Sequence, residues 1–224
     1  MPKAASSQPK TPMQMVEALH TRVTASARSY KMATVRYLMR PPLSLRAKYA
    51  AFLLDFALQS DLIQDVLGRA GERVSDPQIA ALLLTHQREE KSRIQLVMSD
   101  LRRLGFSDAL PERAMTSGDA ALRAYCTTVS GEHPSAMLGV MLALFGVAAE
   151  VSPTVVRLLS VGSVPKEAMR WLLLRQTEDP KVLKQLLEQT AALVRDPVEQ
   201  AQLLQAVEVT GELLALGAAA RPAA

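Results

Sequence analysis

Apolar residues recur along this chain every three or four positions, in blocks separated by Pro, Gly and short polar stretches. Val16, Leu19, Val23, Ala27, Tyr30, Thr34 and Tyr37 mark one face of a first long helix. Thr11-Pro12 predicts its start: the hydroxyl can accept from free first-turn amides, and proline's φ already suits the first helical position. Pro41-Pro42 predicts its end, because proline lacks an amide donor and clashes with the preceding turn. Ser44 then caps a second helix whose apolar side is Tyr49, Phe52, Leu53, Phe56, Ile63, Val66 and Leu67, up to Gly71. A third runs from Asp76-Pro77 through Ile79, Leu83, Ile94, Val97 and Leu101 to Gly105, where glycine can take the left-handed cap conformation.

A looser stretch, 106–118, leads to a shorter helix near 119–129, and Pro134 opens an apolar segment in which Gly139 and Gly146 allow close helix approach. Pro153 is expected to break or kink that segment, and Val164-Pro165 to open a helix through Met169, Trp171, Leu172 and Leu174. Asp179-Pro180 and Asp196-Pro197 repeat the start signal of Asp76-Pro77 and predict two more helices. Strand-like alternation, a Gly-rich phosphate loop and short-period repeats are all missing. The pattern predicts an all-α, single-domain bundle of seven to eight helices over 12–217, between disordered tails at 1–11 and 218–224.

Composition supports this reading: 49% of the 224 residues are hydrophobic but only 4% aromatic, a balance suited to packed helices. Cys126 is the sole cysteine, which excludes an intramolecular disulfide or a Cys-built metal site and fits a cytoplasmic protein. The polar start, Met1 to Pro12, lacks the apolar core of a secretory signal. Ala136 to Ala149 is an uncharged run of roughly 14 residues, short of the ~20 a spanning helix needs, and reads as a core helix with no membrane span.

The net charge of +4 is unevenly spread, since the first fifty residues hold nine lysines and arginines against one acid, Glu17. Arg22, Arg28, Lys31, Arg36 and Arg40 avoid the apolar stripe of the first helix and form a candidate docking face for an acidic partner, a membrane or nucleic acid. Nucleic acid is disfavoured, because no helix-turn-helix pattern or stacking aromatics accompany the basic side.

Three motifs carry the candidate chemistry: His86-Gln87-Arg88-Glu89-Glu90-Lys91-Ser92-Arg93 with Asp100-Leu101 and Leu104-Gly105; Pro134 to Gly139 with Leu144-Phe145-Gly146; and Val164-Pro165 through Trp171 to Arg175-Gln176-Thr177-Glu178-Asp179-Pro180-Lys181-Val182. In this order they resemble the heme-oxygenase-like helical family that includes iron-dependent oxidases and oxygenases and thiaminase-like proteins. The resemblance covers most of the chain after about Ser44. It implies six metal-ligand positions on three converging helices, falling here on Glu90, Arg93, Phe145, Arg175, Asp179 and Val182.

Only Glu90 and Asp179 can serve as ligands. Arginine stays protonated and offers no lone pair, while Phe and Val have no donor atom. The expectation is a degenerate metal pocket with no cofactor, in which Glu90, Arg93, Arg175 and Asp179 form an internal salt-bridge cluster. The implied function is non-catalytic: a protein that has lost its iron site and binds a protein partner, a small apolar ligand in the vestigial pocket, or both, and that can self-associate as a homodimer. The alternative is a non-haem iron oxidase or oxygenase with a rearranged ligand set around His86, Glu89, Glu90 and Asp179. His20 is the one candidate for a haem ligand. Ser130-Gly131-Glu132-His133 lacks the strand-turn-helix elbow of a hydrolase, and Cys126 on an apolar helix reads as packing.

Overall fold

A computed structural model describes residues 9–41, 44–106 and 116–221. Seven α-helices order the described residues: α1 (Pro12–Met39), α2 (Leu45–Arg73), α3 (Pro77–Arg103), α4 (Ser117–Glu132), α5 (Met137–Val161), α6 (Arg170–Leu193) and α7 (Pro197–Ala219). Short 3-10 turns at Pro134–Ala136 and Lys166–Ala168 precede α5 and α6, and no strand occurs among the described residues. Thr11, Ser44, Asp76 and Asp196 each accept from free amides of the helix they open, as their sequence context predicts. Gly105 adopts φ +82° and closes α3, its amide donating to the Arg102 carbonyl while Phe106 N–H donates to Leu101.

Side-chain contacts fix how the helices run. α1 lies parallel to α7, with Lys10 N donating to Gln200 (2.8 Å) near one end, Arg22 paired with Glu208 (2.5 Å), and Ser26 against Val207 further on. The same helix runs parallel to α5, where Lys31 meets Glu150 at 2.8 Å. α2 and α3 are antiparallel, joined by Ser60 to Glu90 and by Arg46 to the Leu104 carbonyl (2.9 Å). α3 and α6 are also antiparallel, and Asp100 accepts from the Trp171 amide at 2.8 Å. That acid caps α6, which has no side-chain cap of its own, and burial pushes its carboxyl above the ordinary range against the pull of those amides.

Four expectations need correction. Asp179-Pro180 does not start a helix: Pro180 lies inside α6, and the buried Asp179 turns to a tertiary partner. Proline in the interior removes one backbone bond, and packing along both halves of α6 keeps the helix continuous. Pro153 likewise sits within α5 and does not end it. The apolar segment is longer than its uncharged run, for Pro134–Val161 is long and apolar enough by length and composition to cross a membrane, although 78% of its most apolar window is buried among the other helices.

The last correction concerns the ends. The helical unit continues past 217, since α7 extends to Ala219 and Arg221 is buried between α1 and α2. Its Nε lies 2.6 Å from Asp55, Nη2 donates to the Tyr30 hydroxyl (3.2 Å), and the guanidinium stacks on Phe52 and Tyr37. The two tails expected at 1–11 and 218–224 otherwise fall largely on residues 1–8 and 222–224, which lie outside the described residues.

Close packing is set by glycine on α5. A β-carbon at Gly139 would collide with the Leu203 backbone carbonyl of α7, which has no freedom to move aside. Gly139→Ala is expected to destabilise the fold by about 1–3 kcal/mol, whereas Gly131→Ala, within α4 and with a β-carbon that would meet only the Arg73 side-chain tip, should leave thermal unfolding unchanged or slightly raised. Equal melting of the two variants would contradict this helix approach.

Candidate functional site

The buried face of α3 reads Ile79, Leu83, His86, Glu90, Val97, Asp100 and Leu101, so three polar groups continue the apolar spacing into the bundle. On α6, Trp171, Arg175 and Asp179 follow at four-residue intervals and are buried as well. Because α3 and α6 are antiparallel, the two rows meet.

Arg175, 3% exposed, lies between two carboxylates: its Nε is 2.6 Å from Asp179 Oδ2 and its Nη1 is 3.5 Å from Glu90 Oε1. Both contacts are ion pairs without hydrogen-bond alignment, so Arg175 Nε, Arg175 Nη1 and Asp179 Oδ2 are all buried without a hydrogen-bond partner. Arg93, one turn along α3, pairs tightly with Glu90 and stands 3.6 Å from Glu89. Glu90 also accepts from the Ser60 hydroxyl of α2 at 3.3 Å.

Aromatic rings close the remaining sides. Both guanidinium groups lie over Phe145 of α5, Arg93 at 5.0 Å and Arg175 at 5.4 Å from the ring centroid. Arg175 also contacts Phe56 and Trp171, whose rings are 4.1 Å apart. Cation–π contact of this kind is stronger in a desolvated site than at a surface. His86 packs edge-on to Phe145 and pairs through Nδ1 with Glu89 at 3.0 Å. Burial lowers its pKa despite that acid, favouring the neutral imidazole.

Five of the six positions singled out by the motifs therefore meet in one place: Glu90, Arg93, Phe145, Arg175 and Asp179. Val182 is half-buried against the core one turn further along α6, outside the network of ion pairs. Ser60, Phe56 and Trp171 belong to the same cluster and were not anticipated as site residues. The heptad-like spacing 79, 83, 86, 90, 93, 97 and 101 on α3 is the sequence signal that turns His86, Glu90 and Arg93 inward.

The arrangement does not fit iron. Arg175 lies between Glu90 and Asp179, and Arg93 pairs with Glu90 beside Glu89, so guanidinium groups carry positive charge into the position a cation would take. The rearranged set fares no better: His86 is committed to Glu89, and among the described residues no three His, Cys, Asp or Glu side chains gather as a metal-holding group. A haem ligand finds no support either, as His20 is exposed on α1. His133 ends α4 beside Gln202 (3.0 Å), and the Ser130 hydroxyl donates to the Thr127 carbonyl of its own helix. Cys126 is buried, and burial raises its thiol to about 12, which keeps it protonated and unreactive.

Among solved structures the chain is similar to the crystal structure of a domain of unknown function with a heme oxygenase-like fold from Shewanella denitrificans OS217. The TM-score is 0.75 over 88% of this chain and 87% of that one, at 16% sequence identity. The fold is heme oxygenase-like. At that identity the likeness concerns the heme oxygenase-like architecture alone. No protein-family profile matches the chain, and no curated protein matches it.

Removing one guanidinium from this network leaves buried carboxylate behind. Arg175→Ala is expected to cost on the order of 3–5 kcal/mol, a fall of about 10 °C in melting temperature, and unchanged melting would refute the cluster's structural weight. Asp179 behaves differently, since burial outweighs the pull of Arg175 and raises its carboxyl from 3.8 to about 6. A folded-state pKa above the unfolded one means the native state binds the proton more tightly, so this group's contribution improves as pH falls from about 7 toward 4. Relative to Asp179→Asn, the wild-type chain should gain stability over that window; a difference that stays flat from pH 8 to 5 would refute it.

Proposed function

We propose that this heme oxygenase-like chain is a non-catalytic protein without an iron centre that works by binding a protein partner or a small apolar ligand. The observation that supports it is the pair of guanidinium groups lying over Phe145, Arg175 between Glu90 and Asp179 and Arg93 against Glu90, where the family resemblance implies metal ligands. These groups have no lone pair for a metal, and Arg stays protonated across the accessible pH range. On this reading the centre holds the helices together, and recognition falls to the outside of the bundle.

One outer groove suits an apolar ligand. Ala81, Leu82, Ala192 and Leu193 line it between the start of α3 and the end of α6, with Gln78, Thr85 and Gln189 as polar groups at its margin. Small-molecule sites have this mixture of apolar wall and few polar groups. The free, buried Cys126 is compatible with a reducing cytoplasm.

The test is elemental analysis of protein purified after expression with supplemented iron, paired with oxygen-consumption measurements. Far less than one iron per chain and no oxygen uptake above a blank are expected. Near-stoichiometric iron, lost together with oxygen uptake in Glu90→Gln or His86→Ala, would replace this reading by that of an iron oxidase.

A further inference from the structure

Five helix ends converge at one end of the bundle. The Lys48 ammonium donates to the Leu38 carbonyl (3.0 Å), joining the end of α1 to the start of α2. Arg46 donates to the Leu104 carbonyl, which brings in the end of α3, and Arg103 donates to the Glu167 carbonyl (2.8 Å) just ahead of α6. Gly162, at the end of α5, packs against Leu45.

This end carries exposed apolar tips: Val161 is 83% exposed, Met39 65% and Phe106 41%. Arg40, Arg103, Arg157, Lys166 and Arg170 surround them, all exposed and without an ion pair to any described residue. Arg157 and Val161 lie one helical turn apart on the same face of α5. Glu167 is the one exposed acid among the described residues of these five helix ends. By contrast, two members of the basic α1 face are neutralised within the protein, Arg22 by Glu208 and Lys31 by Glu150.

Cations near the ends of α1, α3 and α5 complement the partial negative charge of those carbonyls. That effect does not account for large apolar side chains held in water beside them. The two features together are those of a surface that inserts apolar tips at a headgroup boundary while its cations meet anionic lipid. We infer that this end of the bundle is a peripheral docking surface for an anionic phospholipid membrane. The tips stand at helix ends and turns, a placement that suits a broad lipid surface better than a peptide requiring a groove.

The inference depends on the surface alone and is separate from the chemistry of the centre. Its test is co-sedimentation of the full chain with vesicles of phosphatidylcholine alone or with one-third phosphatidylserine. Binding should be about tenfold or more stronger to the anionic vesicles and should weaken when salt shortens the reach of the charges. The double variant Arg157→Glu/Lys166→Glu should lose about tenfold, and Val161→Ser/Met39→Ser several-fold. Val198→Ser, an exposed apolar residue at the far end, should bind like wild type. Absence of vesicle binding would overturn the inference. So would binding indifferent to the serine substitutions and matched by soluble polyglutamate, an outcome that would assign the basic end to an acidic protein.

Discussion

A guanidinium group withdrawn from water must be answered on every side, and the fold around Arg175 is organised by that demand. Charge is supplied by Glu90 from α3 and Asp179 from α6, and ring faces by Phe56 of α2, Phe145 of α5 and Trp171 of α6. Four helices thus share one desolvated cation. Apolar burial drives their collapse but is indifferent to direction, whereas the paired charges are satisfied in one register only. The cluster therefore specifies how α3 and α6 are set against each other while adding less stability than its short contacts suggest.

Its charges are not balanced when all are ionised. Glu89, Glu90 and Asp179 face Arg93 and Arg175, and burial lowers the pKa of His86, so it does not serve as a third cation. Burial raises the Asp179 carboxyl against the pull of Arg175 and Arg93, and a proton taken up there reduces the excess of acid. Arg221 and Asp55 repeat the same device between α1 and α2, again with aromatic faces above the guanidinium. In a chain with few aromatics, most of those in the core are spent against these two arginines.

The centre and the end of the bundle divide the molecule's tasks. At the centre, charge is enclosed and compensated, leaving little that a solute could reach. At the end formed by α1, α2, α3, α5 and α6, cations and apolar tips are left facing water. A group that stabilises the fold must be desolvated, and one that recognises another body must remain solvated until it binds.

Local chemistry along the chain determined the helices and most of their boundaries. Threonine, serine or aspartate ahead of a first turn, and a glycine able to take positive φ after the last one, act through neighbouring amides and carbonyls and need no distant partner. The same local rule misread Asp179-Pro180, because capping and burial compete for one carboxylate, and a guanidinium four residues earlier turned it inward. The convergence of Glu90, Arg93, Phe145, Arg175 and Asp179 was implied by the family resemblance that the order of the three motifs carries. The contributions of Ser60, Phe56 and Trp171, and the burial of Arg221 against Asp55, were decided by which helices pack together, as was the gathering of Met39, Phe106 and Val161 at one end. Periodicity tells which face of a helix avoids water; only the packed arrangement settles which other face it meets, because that choice depends on contacts between residues far apart in the chain.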